Sequence, residues 1–159
     1  MNKISLDFNK SIFPIYESPY QEIKIDDEFS VSVISNSILD KENSEWIKGL
    51  VPSYSGWLVN EDEEKYVFQH LTPQNKSFCP ILICPDDQDF SCSVLLVEII
   101  RKEKTIQWKR LGWAKGYNYP DINFIDSEVE WILNDFNKEF NLEEYENTIK
   151  EIKVGNLQK

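Results

Sequence analysis

Ile4, Leu6 and Phe8 alternate with Ser5 and Asp7, the period of a strand with one buried face. Pro14 and Pro19 then punctuate an irregular stretch. Ile23 and Ile25, followed by Phe29, Val31 and Val33, resume the alternation across Asp26-Asp27-Glu28, which predicts a hairpin turning there. Leu39, Trp46, Ile47 and Leu50 suit one side of a short helix, capped by Ser37 or Asp40 and ending near Gly49. Residues 57–59 and 66–68 read as strands on either side of Glu61-Asp62-Glu63-Glu64, so this acidic tetrad is expected at a solvated hairpin tip. Residues 72–77 are polar and contain Pro73, the mark of a loop.

The clearest unit follows. Residues 80–84 are apolar, 85–89 carry turn residues, and 90–101 are rich in Val, Leu and Ile. Residues 105–111 alternate again, after a turn at Glu103-Lys104. Three sequential strands are therefore expected as an antiparallel meander over about 80–111, buried on both faces near Val94–Val97. Residues 112–126, with Gly112, Gly116 and Pro120, suggest a long ordered loop. Val129, Ile132 and Phe136 share a helical face, and 129–133 equally suits a strand. Leu142, Tyr145, Ile149 and Ile152 recur at three- and four-residue spacing, so a C-terminal amphipathic helix is predicted. Asn141 is its cap, Glu143 and Glu144 fill its first turn, and Gly155 is a candidate stop. No internal repeat appears. The expected fold is a single α+β domain over residues 1–159, an antiparallel sheet with a central meander and flanking helices.

Composition makes this a folded chain: 41% of its 159 residues are hydrophobic and 13% aromatic, too apolar for disorder. Charge narrows its partners. Seventeen basic residues face twenty-eight acidic ones, a net charge of −11. That opposes nucleic-acid binding through phosphate neutralisation and attachment to an anionic membrane surface. The deficit is uneven. Six basic residues against Glu103 give residues 101–115 a net of +5, whereas residues 121–151 carry ten carboxylates against Lys138 and Lys150, a net of −8.

No catalytic pattern stands out. His70 is the sole histidine, and no GxSxG, phosphate loop, GxGxxG or HExxH accompanies it. Asp87, Asp89, Ser91 and Glu98 partly match calcium-loop spacing, but Cys92 occupies the glycine position and β-formers follow. Cys79, Cys84 and Cys92 form no CxxC pair, so three reduced core thiols are expected, with no metal and no cofactor. The start Met1-Asn2-Lys3-Ile4-Ser5-Leu6-Asp7 leads into no apolar segment, and no run approaches the ~18 apolar residues of a membrane span. A cytoplasmic location is expected. Of the five tryptophans, Trp57 beside Gly56 and the tetrad is the one expected to be exposed.

Residues 84–92 (Cys-Pro-Asp-Asp-Gln-Asp-Phe-Ser-Cys), then Val97-Glu98, Trp108-Lys109-Arg110-Leu111-Gly112, Val129-Glu130-Trp131, Phe140 and Glu144-Tyr145 resemble small bacterial immunity proteins of polymorphic and contact-dependent toxin systems. The likeness covers residues 80–150. It implies a cytoplasmic, non-enzymatic inhibitor of one cognate toxin domain, often a nuclease met by carboxylates and aromatics. By charge and expected exposure, the toxin-binding residues are Trp57, Glu61, Asp62, Glu63, Glu64, Asp135, Glu139 and Glu143. An acidic adaptor module of a mobile element, or a small hydrolase with a carboxylate pair, are the alternatives.

Overall fold

The computed structural model describes residues 1–10, 19–115 and 121–157. Two antiparallel sheets carry the fold. The smaller holds β1 (Ile4–Lys10), β2 (Pro19–Ile25) and β3 (Glu28–Phe29), in that order. The larger runs β4 (Val51–Pro52), β5 (Lys76–Ile83), β6 (Val94–Arg101), β7 (Thr105–Ala114) and β8 (Val129–Leu133). A further strand, β9 (Lys138–Asn141), pairs with the first half of β7, and β8 pairs with the second. Four α-helices among the described residues complete the architecture: α1 (Ser30–Ser37), α2 (Lys41–Lys48), α3 (Glu61–Leu71) and α4 (Leu142–Leu157). The fold is α+β, and the expected meander is present as β5, β6 and β7. No helix among the described residues is long and apolar enough to cross a membrane.

The hairpin at Asp26-Asp27 forms as expected. Both residues take the left-handed backbone, φ 51° and 69°, that a tight two-residue turn requires. The strand expected beyond Phe29 does not continue; Val31 and Val33 belong to α1. The reason is a long-range cap. Glu22, fully buried on β2, accepts hydrogen bonds from the Val31 N–H and the Ser30 hydroxyl, both at 2.9 Å. A carboxylate there satisfies the open N–H groups of a helix start. Burial raises the Glu22 pKa, and hydrogen bonds from Asn9, Val31 and Ser30 pull it back. Helix α2 starts at the Asp40 cap and ends at Gly49, as the pattern suggests. Its buried side is narrower than expected: Ile47 and Leu50 face the core, while Leu39 is 99% and Trp46 57% exposed.

The hairpin expected over 57–68 is absent. The chain instead turns through Ser53–Trp57, with Gly56 at φ 93°, and enters α3. The Asn60 side chain caps α3, accepting from the Asp62 and Glu63 N–H groups at 2.8 and 3.2 Å. Glu63, Val67, Phe68 and Leu71 are buried at helical spacing. The tetrad is thus the helix's first turn, where carboxylates oppose the positive end of the macrodipole.

Of the two readings of 129–133, the strand is correct. Residues 112–114 extend β7 rather than opening a loop, and Gly116, Pro120 and Pro14 lie outside the described residues. Helix α4 has its Asn141 cap, whose side chain accepts from the Glu144 N–H at 3.0 Å, but it passes Gly155.

The core lies between the larger sheet, α3 and α4. Trp108 of β7 is fully buried, and its indole N–H donates to the Tyr145 hydroxyl at 3.2 Å. That hydroxyl donates in turn to the Leu71 carbonyl at 2.6 Å, tying sheet, α4 and the end of α3 together. Phe140 packs against both rings, with centroids 5.8 Å away from each. Where β8 meets β7, Gly112 permits the close approach. A Cβ there would stand 2.6 Å from Val129 Cγ1 and 2.8 Å from the Glu130 carbonyl oxygen. Gly112→Ala is therefore expected to destabilise the protein by about 1–3 kcal/mol, measured by urea unfolding, because backbone cannot yield as a side chain does.

Candidate functional site

Four of the six basic residues of 101–115 enter ion pairs within the fold. Arg101 pairs with Glu146 at 3.6 Å, Lys102 with Glu139 at 3.4 Å, Arg110 with Glu98 at 2.5 Å and Lys115 with Glu130 at 3.3 Å. Because β7 pairs with β6 on one side and with β8 and β9 on the other, the positive stretch and much of the negative one become neighbours. The dipole written along the sequence is thereby reduced in space, with Glu130, Glu139 and Glu146 of the acidic segment each facing a cation of the basic one.

An acidic cluster does gather at the start of α3. The Val59 N–H donates to the Gln88 carbonyl at 3.2 Å, and the Phe90 N–H donates to Glu63 Oε2 at 3.3 Å. Tyr66 meets Phe90 edge to face, with centroids 6.5 Å apart. These contacts seat the loop 84–93 against the first turn of α3. Glu61, Asp62, Asp86 and Asp87 are exposed, and Glu64 and Asp89 are half-buried. No ion pair among the described residues includes Glu61, Asp62, Asp86, Asp87 or Asp89. Val59, an apolar residue 72% exposed, stands beside them. The result is an acidic pole on a rigid helix start and a loop held to it.

Beneath the pole, Glu63 is 3% exposed, and its Oε1 has no hydrogen-bond partner among the described residues. Burial pushes its pKa up to about 7; the Phe90 N–H opposes this and the Asp89 carboxylate adds to it. The sign follows from linkage. A carboxyl raised from 4.5 to about 7 contributes stability below pH 4.5 that is lost as pH rises through 7. Relative to Glu63→Gln, the wild type is expected to lose up to about 3 kcal/mol of unfolding free energy across that window. Urea titrations of both proteins at several pH values measure this; a pH-independent difference would contradict the assignment.

The loop itself gathers three further groups. Donor atoms of Cys84, Asp87 and Cys92 all lie within 4.8 Å of one another. Burial raises the Cys92 thiol pKa; the Ser93 N–H lowers it, and Cys84 and Asp87 raise it further. The partial calcium-loop spacing is not realised, since Glu98 is buried on β6 and paired with Arg110.

The eight expected interface residues do not share a surface. Trp57 is buried, edge-on to Tyr20 at 5.5 Å, and Glu63 is buried as described, so neither is available to a partner. Glu61, Asp62 and Glu64 sit at the pole. Asp135 and Glu143 are exposed elsewhere, and half-buried Glu139 is engaged by Thr105 at 2.6 Å and by Lys102. The Thr105 hydroxyl most of all holds its pKa below the usual value; burial opposes this, and Lys102 adds to the lowering. The first turn of α4 meets the C-terminal end of α3 through Tyr145 and Leu71. Glu61 lies at the opposite end of that helix, about 15 Å away along its axis. Sequence reasoning missed Asp86, Asp87 and Asp89, whose acidity was plain but whose neighbours lie more than twenty residues earlier in the chain. His70 is taken up locally: its Nδ1 lies 2.8 Å from the Tyr66 carbonyl and its ring stacks on Tyr66. No protein-family model, no curated protein and no solved structure matches the chain.

Proposed function

We propose that this protein is a cytoplasmic immunity protein that neutralises a cognate bacterial toxin, binding it and covering its active or substrate-binding surface without chemistry of its own. The acidic pole carries this reading. Five carboxylates outside any ion pair among the described residues, fixed on a helix start and an anchored loop, present to a basic nuclease-type surface what a phosphate backbone presents. A field of one sign speeds encounter with a partner of the other. The exposed Val59 adds an apolar contact that a purely electrostatic attachment lacks. The likeness of residues 80–150 to immunity proteins supplies the class of partner, and the pole includes the loop 84–92 in which that likeness begins.

The test is co-expression with a candidate toxin domain from a neighbouring gene. Cells carrying the domain alone should die, and cells carrying both should grow. A one-to-one complex should be recoverable in which the toxin's nuclease activity is blocked. Full toxicity in the presence of folded protein, with no complex, would contradict the proposal.

A further inference from the structure

Of the three thiols expected in the core only Cys79 is buried, and the sequence offers no CxxC pair and one histidine for a metal. The fold supplies a different set. Cys84 directly follows β5, the turn at 85–88 reverses the chain, and Cys92 returns beside it. The Gln88 N–H donates to the Cys84 carbonyl at 3.3 Å, and Gln88 takes the left-handed backbone, φ 57°, that such a reversal needs. Asp89 braces the far side, accepting from the Ser91 N–H at 2.9 Å and from its hydroxyl. Glu63 anchors the same loop through Phe90. Two sulfurs and a carboxylate thus converge on a point at the surface, Cys92 and Asp87 exposed and Cys84 half-buried.

We propose that Cys84, Asp87 and Cys92 form a binding site for a thiophilic divalent cation, zinc above all. Two thiolates favour a borderline-soft metal over calcium or magnesium, which take oxygen donors. Donors around tetrahedral zinc, at about 2.0–2.3 Å from the metal, stand roughly 3.3–3.8 Å apart. The three present donors lie within 4.8 Å, so closing on an ion needs movements of about an ångström by two exposed side chains and one half-buried one. Three protein donors leave the fourth position to water or to a donor from a partner, the arrangement of an open rather than a sealed zinc site. The carboxylates of Asp86 and Asp89 add a negative field that favours a cation. This inference does not rest on the toxin reading, and its test needs no toxin.

The test is titration of the full chain, reduced and kept free of oxygen, with cobalt(II) and then zinc(II). The expected result is one cobalt per chain, with a thiolate-to-cobalt charge-transfer band and the intense visible bands of four-coordinate cobalt, displaced by one equivalent of zinc. Cys84→Ser and Cys92→Ser should each abolish the charge-transfer intensity or halve it with affinity lost. Asp87→Asn should weaken binding about tenfold or more, while Asp86→Asn should keep affinity within about threefold of the wild type. Circular dichroism confirms that each variant is folded. Absence of a thiolate band, or a band unchanged in both cysteine variants, would overturn the proposal.

Discussion

Replacing Glu61, Asp62 and Asp86 together by lysine is expected to slow association with the toxin domain by about 10- to 1,000-fold at low salt. The three side chains are exposed, and none enters an ion pair among the described residues, so nothing inside the protein compensates for their loss. The triple reversal shifts the local charge by six units. The effect should fall mainly on the association rate and shrink as salt is added, because exposed charges are screened over about 10 Å at 0.1 M. Asp87 is left intact, so the three candidate metal donors are all retained. Lysine in the first turn of α3 also costs about 0.3–1 kcal/mol per residue against the macrodipole. The neutral set Glu61→Gln, Asp62→Asn and Asp86→Asn separates that loss from binding, and should give an intermediate rate. An unchanged rate and salt dependence in the lysine triple, measured by stopped flow, would remove the pole from the binding mechanism.

The second large effect is structural. Trp108→Ala is expected to destabilise the fold by about 3–5 kcal/mol, a substantial part of the roughly 5–15 kcal/mol that holds a domain folded. Trp108 is fully buried, packs edge-on to Phe140 and Tyr145, and donates to the Tyr145 hydroxyl that holds Leu71. Removing the indole leaves a cavity where β7, β9, α4 and the end of α3 meet. Trp108→Phe keeps most of the volume and loses the hydrogen bond, and should cost less. Urea midpoints read both; a loss below 1 kcal/mol for the alanine variant would show that the aromatic cluster is not the centre of the core.

Much of this architecture was legible because local pattern and tertiary packing agree. The alternation at 105–111, the helical spacing of Tyr145, Ile149 and Ile152, the Asn141 and Asp40 caps and the Asp26-Asp27 turn all appear as written. Failures arose where a long-range contact decided. Val31 and Val33 alternate like a strand, yet Glu22 from another element caps a helix over them. Tyr66 and Phe68 alternate too, but Asn60 followed by acidic residues and by Val67, Phe68 and Leu71 already spelled a capped helix. That signal was present and outweighed by a two-residue apolar alternation. The site suffered from the same cause. Charge alone located Glu61, Asp62 and Glu64, but it also selected Glu63, whose helical phase turns it inward beneath the loop. Trp57 was expected outside because of its acidic neighbours, and the turn at Gly56 delivers it to Tyr20 instead. The tryptophan that is exposed among the described residues, Trp46, lies on the solvent side of α2. Joining Asp86 and Asp87 to the tetrad required knowing that the Val59 and Gln88 backbones meet.

The central claim is that the acidic pole is the surface this protein uses, and amide hydrogen exchange of the chain alone and bound to the toxin domain tests it most directly. Slowed exchange concentrated in residues 59–66 and 84–93 is the predicted result. Slowed exchange centred on α4 and on β8 and β9, with residues 59–66 and 84–93 unchanged, would contradict it.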